Sequence, residues 1–86
     1  MQERRKRKVM NIVGPQLRRI RYQQGLTQPA FTAKCQVIGW DISRESLAKI
    51  ESQLRGVSDI EVLKLAKALR VHFSVLFPEF HPVMPL

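Results

Sequence analysis

Apolar positions recur along this chain at helical spacing. Leu17 and Ile20 stand three apart on one side of a segment whose Arg18, Arg19 and Arg21 point elsewhere, which predicts a first helix opening at Pro15 and closed by Gly25. Proline fits a first turn because its missing N–H is not needed there, and glycine fits the left-handed residue that ends a helix. Thr27 serves as N-cap of a second helix, with Pro29 in its first turn and Phe31 and Cys35, flanked by Ala30, as its inner face. From Gln36 to Ile42 the period breaks at Gly39, Trp40 and Asp41, so a turn is expected, with Trp40 laid over the core.

Ser43 then caps a third helix running to about Gln53, in which Leu47, Ile50 and Leu54 face inward and Arg44, Glu45, Ala48 and Lys49 form the opposite, polar face. Beyond Arg55 and Gly56, Ser58 and Glu61 make a capping box, the clearest helix start in the chain. Its buried stripe is expected at Ile60, Leu63, Ala66 and Leu69, broadened by Val62 and Leu65. A last short helix, about Phe73 to Leu76, stops at Pro78. Nothing alternates as a strand would, so the class is all-α, a five-helix bundle. The expected organisation is a flexible basic arm over 1–12, one helical domain over 13–78 and a tail over 79–86.

Length and composition agree: 86 residues suit one domain, and 44% hydrophobic with 26% charged residues is the balance of a foldable chain. Charge adds more. Fifteen Lys and Arg against seven Asp and Glu give a net charge of +8, which favours polyanionic partners. Arg4, Arg5, Lys6, Arg7 and Lys8 crowd the start, yet beyond residue 8 ten basic groups still outnumber six acidic ones. Should that partner be a nucleic acid, the arm is expected to hold it by charge, at phosphates or in the minor groove, adding affinity and little specificity.

Other chemistry is poorly supplied. Cys35 is alone, so no internal disulfide forms and a reducing, cytoplasmic setting is expected. The basic start is followed only by Val9 to Val13 before Gly14 and Pro15, too short for a secretory h-region, and no run is long enough for a membrane span. His72, Glu79 and His81 lack a nucleophile at motif spacing, and there is no glycine-rich phosphate loop. No catalytic residue, metal or cofactor is therefore expected.

The segment GLTQPAFTAKC, followed by ISRESLAKIESQLRGVSDIEVLKLAKALRV, resembles the Xre-type family of helix-turn-helix regulators, which includes the phage Cro and repressor DNA-binding domains. The likeness runs from about Gly14 to Phe77 and is strongest at Gly25-Leu26-Thr27-Gln28, at Ser43-Arg44 with Lys49-Ile50-Glu51, and at Leu65-Ala66-Lys67-Ala68-Leu69. It implies a phage-repressor-like domain whose third helix enters the major groove of double-stranded DNA while the second lies across the backbone. By this resemblance Arg44, Glu45 and Lys49 read bases, and Gln28, Ser43, Ser46 and Arg55 make backbone or supporting contacts. Three features depart from the family pattern: a longer turn around Val37 to Ile42, Phe31 and Cys35 where leucines are common, and Arg70 in place of a glycine. The last leaves the fourth helix to end without the easy left-handed cap.

The function expected is sequence-specific DNA binding by a transcriptional repressor in the cytoplasm, associated with the nucleoid. A homodimer is expected through Phe73, Leu76, Phe77, Phe80 and Val83, which crowd the end of the chain. The short length leaves no room for a sensing domain, so the signal is expected from a regulatory protein partner or from concentration. Two rivals stay open: a protein-interaction module on the same fold, such as an antitoxin, anti-repressor or bridging coactivator, and an RNA binder.

Overall fold

Three of the four helices begin at a hydroxyl that takes up a free backbone N–H. A computed structural model describes residues 8–78; Arg4, Arg5, Lys6 and Arg7 of the arm, and Phe80 and Val83 of the expected dimer contact, lie outside them. Helix α1 (Gly14–Gln23) has Pro15 in its first turn. Helix α2 (Gln28–Val37) starts at Thr27, whose side chain accepts from the Ala30 amide, and α3 (Arg44–Glu51) starts at Ser43, whose hydroxyl accepts from Ser46. At α4 (Asp59–Leu69) both halves of the Ser58–Glu61 capping box are formed. The fifth helix expected from sequence is a single 3-10 turn, Phe73–Leu76, with the His72 side chain accepting from the Ser74 amide.

All four helices end in the same way. Past each helix one residue turns left-handed, the second residue on for α1, α2 and α3 and the first for α4, and the next amide reaches back across the turn: Leu26 to the Arg21 carbonyl, Trp40 to Cys35, Leu54 to Lys49 and Val71 to Ala66. Glycine supplies the first two left-handed residues, at φ 70° for Gly25 and 89° for Gly39. The other two are Gln53 at φ 64° and Arg70 at φ 58°. So Arg70 adopts the left-handed cap after all, against its own steric preference.

The core joins Val13, Leu17 and Ile20 to Phe31 and Cys35, to Ile42, Leu47 and Ile50, and to Val62, Leu65, Ala66, Ala68, Leu69 and Leu76. Helix α2 packs on both α3 and α4, and α1 closes against α3 and the 3-10 turn. Trp40 lies against this core as expected, with the Lys64 ammonium 5.7 Å from its ring centre. Several inward assignments change. Ala30 is exposed, and its place on the inner face of α2 is taken by Thr32, whose hydroxyl donates to the Pro29 carbonyl. Leu54 is exposed because α3 ends at Glu51 and Gln53 turns the chain away.

On α4 the expected stripe has the wrong phase. A strict spacing of three falls short of a helical turn by about 60° each step, so Ile60 sits opposite Leu69. The buried set is Val62, Leu65, Ala66, Ala68 and Leu69, while Ile60 and Leu63 are 62% and 56% exposed. Leu76, expected at a dimer contact, is fully buried and belongs to the core. Phe73 is 45% exposed and Phe77 half-buried, so with Ile60 and Leu63 they line a shallow apolar groove.

Because a side chain at φ 58° is strained, replacing Arg70 by glycine should stabilise the protein by about 1 kcal/mol. For a domain of this size that raises the melting midpoint by roughly 4–8 °C. A thermal melt of Arg70→Gly that shows no rise, or a fall, would contradict the strain argument.

Candidate nucleic-acid interface

The polar face of α3 is set by what the opposite face must bury. Leu47 and Ile50 are fully enclosed and Glu51 nearly so, which turns the other side of the helix outward. At about 100° per residue, Arg44, Ala48, Ser52, Glu45 and Lys49 follow one another across an arc of about 140°. Arg44, Glu45, Lys49 and Ser52 are exposed and Ala48 partly so, leaving a shallow centre between charged edges. Ser43 and Ser46 hold the helix start, where the Ser43 hydroxyl accepts from the Ser46 amide at 3.0 Å. The structure therefore brings Arg44, Glu45, Lys49, Ser43 and Ser46 onto one short helix of about 12 Å.

A buried ion pair fixes this helix from behind. Arg21 of α1 donates from Nε and Nη2 to the two carboxylate oxygens of Glu51, at 2.7 and 2.9 Å, and from Nη1 to the Leu26 carbonyl at 2.7 Å. Both side chains are at most 5% exposed. The Glu51 hydrogen bonds hold the Arg21 pKa above its ordinary value, so the guanidinium stays charged. Gln28 extends the pair outward: its Nε2 donates to Glu51 at 3.1 Å and its Oε1 accepts from Arg44 Nε at 3.4 Å. Helices α1, α2 and α3 are thus joined by one polar chain that ends at the exposed face.

Sequence reading placed Arg21 away from the core and gave Glu51 no partner. A signal was available. Leu17, Ile20 and Arg21 have the same i, i+3, i+4 spacing as Leu47, Ile50 and Glu51, so each charge shares the inner face of its helix and the two are opposite in sign.

A cleft of about 750 Å³ opens beside this chain, between the end of α1, the start of α2 and the outer side of α3. Its walls include Arg18, Tyr22, Gln28 and Arg44. Arg18 Nη2 donates to the Tyr22 hydroxyl at 3.2 Å, and the Arg18 and Arg21 guanidinium carbons lie 5.3 and 4.8 Å from the Tyr22 ring centre. The Arg18 hydrogen bond draws the Tyr22 pKa below its usual range. Neither Arg18 nor Tyr22 was singled out in the sequence. At the other end of α3, Arg55 grips Glu61 with two hydrogen bonds of 3.2 and 2.9 Å, which lowers the Glu61 pKa and ties the loop to the start of α4.

Two helices joined by a turn, the second offering an exposed polar face and the first presenting its N-terminus beside it, are the arrangement of a helix-turn-helix DNA-binding domain. A family model described as helix-turn-helix, HTH_3, matches residues 17–76. The chain belongs to this family of DNA-binding transcriptional regulators. Among solved structures it is similar to the restriction-modification controller protein C.AhdI from Aeromonas hydrophila, with 31% sequence identity and a TM-score of 0.66 over 76% of this chain and 91% of that one. No curated protein matches. Among the described residues no helix is long and apolar enough to cross a membrane.

Removing one partner of a buried pair strands the other charge, so Arg21→Ala or Glu51→Ala should each cost about 3–5 kcal/mol. Replacing both, as Arg21→Met with Glu51→Leu, should recover most of that loss. Urea unfolding measures the three variants, and single losses below about 1 kcal/mol would show that the pair does not lock α3.

Proposed function

We propose that this protein represses transcription by binding, as a homodimer and without catalysis of its own, to a two-fold symmetric site on double-stranded DNA. The observation that carries the reading is the exposed face of α3, with Arg44, Glu45 and Lys49 opposite a rigidly buried side. Arg and Lys donate to guanine O6 and N7, and a carboxylate accepts from cytosine N4, so G·C pairs are favoured in each half-site. Gln28, at the mouth of the cleft, holds the phosphate backbone on one flank; Arg55, braced by Glu61, holds it on the other.

One eight-residue helix reads too few base pairs to single out a promoter, and pairing two copies doubles the site. The apolar groove of Ile60, Leu63, Phe73 and Phe77 is the surface that supports a second copy. It replaces the expected set that included Leu76. The similarity to a restriction-modification controller supports a promoter of that kind as the target, reached in the cytoplasm at the nucleoid.

Selection from randomised duplex DNA, followed by sedimentation of the complex, tests the reading. The expected product is an inverted repeat bound by two copies. On it, Arg44→Ala or Lys49→Ala should cost about 1–3 kcal/mol and relax one position in each half-site, whereas Gln28→Ala should weaken every sequence alike. Leu63→Glu should leave the fold intact and abolish the paired complex. An unaltered consensus with Arg44→Ala and Lys49→Ala would exclude α3 as the reading helix.

A further inference from the structure

The chain entering α1 is pinned to the C-terminal end of α3. The Met10 amide donates to the Gln53 carbonyl at 3.1 Å, and Gln53 Nε2 returns a bond to the Asn11 carbonyl at 3.0 Å. Asn11 Nδ2 donates to the carbonyls of Ile50 and Arg55, at 3.1 and 2.8 Å, while its Oδ1 accepts from the Gly14 amide at 2.8 Å. Gly14 rests so closely on the Ile50 carbonyl that a Cβ there would collide with it. Met10 and Asn11, assigned to a flexible arm by sequence, are instead held at the end of α3 opposite Arg44. The family match begins at residue 17, so this strap lies outside the matched region.

One uncharged side chain thus ties three separate pieces of backbone: the last turn of α3 at Ile50, the loop after it at Arg55, and the first residue of α1 at Gly14. The bond to Arg55 matters most, because Leu54 and Gly56 on either side of it are exposed. Among the described residues, Asn11 supplies the one hydrogen bond that the Arg55 backbone makes. Arg55 is therefore held at both ends, its carbonyl by Asn11 and its guanidinium by Glu61. The bonds to Glu61 and to the Gly56 carbonyl use three of its five N–H groups, which leaves Nε–H and one Nη2–H for an outside acceptor. An arginine fixed in this way meets a phosphate oxygen without the ordering cost of a mobile side chain.

We infer that Asn11 is a positioning residue for DNA binding: by holding the Arg55 carbonyl it sets the place at which Arg55 meets the phosphate backbone. The inference rests on the backbone contact proposed for Arg55. Because the same amide group also holds the Ile50 carbonyl, that place stays in fixed relation to the exposed face of α3. Gln28 ties the start of α2 to α3 through Glu51 and Arg44, and Asn11 does the corresponding work at the other end of the helix. Both phosphate contacts are then held in register with the side chains of α3, one through each end.

Since Asn11 carries no charge, the salt dependence of binding separates positioning from direct contact. Affinity of the complete chain for the selected duplex is measured by fluorescence anisotropy across a salt series, at a temperature where circular dichroism shows each variant folded. The slope of log affinity against log salt counts phosphate contacts. Arg55→Ala should lower it by about one. Asn11→Ser, whose hydroxyl can still accept from the Gly14 amide, should lower it equally, as should Asn11→Gln, which moves the amide one methylene from the carbonyls. Combining Asn11→Ser with Arg55→Ala should lower it no further, while Gln28→Ala should weaken the Asn11→Ser protein by the same factor as the parent. Gln53→Ala, which frees only the Asn11 carbonyl, should lower the melting midpoint and leave the slope unchanged. Parental slopes in both Asn11 variants, losses that add with Arg55→Ala, or an equal fall in Gln53→Ala would overturn the inference and leave the Arg55 contact standing. An unchanged slope in Arg55→Ala would overturn that contact and the inference with it.

Discussion

The Arg21–Glu51 pair is the constraint on which the arrangement of α1, α2 and α3 rests. Two charges withdrawn from water are tolerated only when their hydrogen-bonding capacity is filled, and here the carboxylate accepts from Arg21 and Gln28 while the guanidinium also reaches the Leu26 carbonyl. Such a network has a geometry, whereas a purely apolar contact tolerates sliding. It fixes the rotation of α3 about its axis, and with it the direction in which Arg44, Glu45 and Lys49 project. The same carboxylate orients Gln28, so the start of α2 and the exposed face of α3 are positioned by one residue.

The apolar core sets the tilt of the helices and the polar chain sets their register. Leu47 and Ile50 would hold α3 against α1 and α2 over a range of rotations. The α2–α3 connection, residues 38–43, is held in the same economical manner: Gly39 reverses the chain, Ile42 plugs the core, and Trp40 covers it. Arg44, the first residue beyond this connection, reaches back to Gln28.

Much of this was legible in the sequence because it is decided locally. The hydroxyl caps at Thr27, Ser43 and Ser58 depend on residues three apart, and the structure forms each of them. The inward set Leu17, Ile20, Phe31, Cys35, Leu47 and Ile50 followed from helical spacing alone. What escaped required knowledge of neighbours. The phase of α4 depends on which of two apolar stripes finds a partner, and both were present in the sequence. The burial of Arg21 depends on a carboxylate thirty positions away, and that of Leu76 on the docking of the 3-10 turn against α1 and α4. The left-handed turns at Gln53 and Arg70 have no compositional signature, since neither residue prefers them.

The shared form of the four helix endings bears on how the chain finds its shape. Each reversal is closed by a bond spanning five residues, Arg21 to Leu26, Cys35 to Trp40, Lys49 to Leu54 and Ala66 to Val71. Direction changes are thus encoded within short stretches that can form before distant parts of the chain have met. Loop-closure entropy stays small when contacts lie close in sequence, and helical domains of this kind reach the native state in about microseconds to milliseconds. A newly made chain then becomes competent to bind almost as soon as it leaves the ribosome, with little delay from folding.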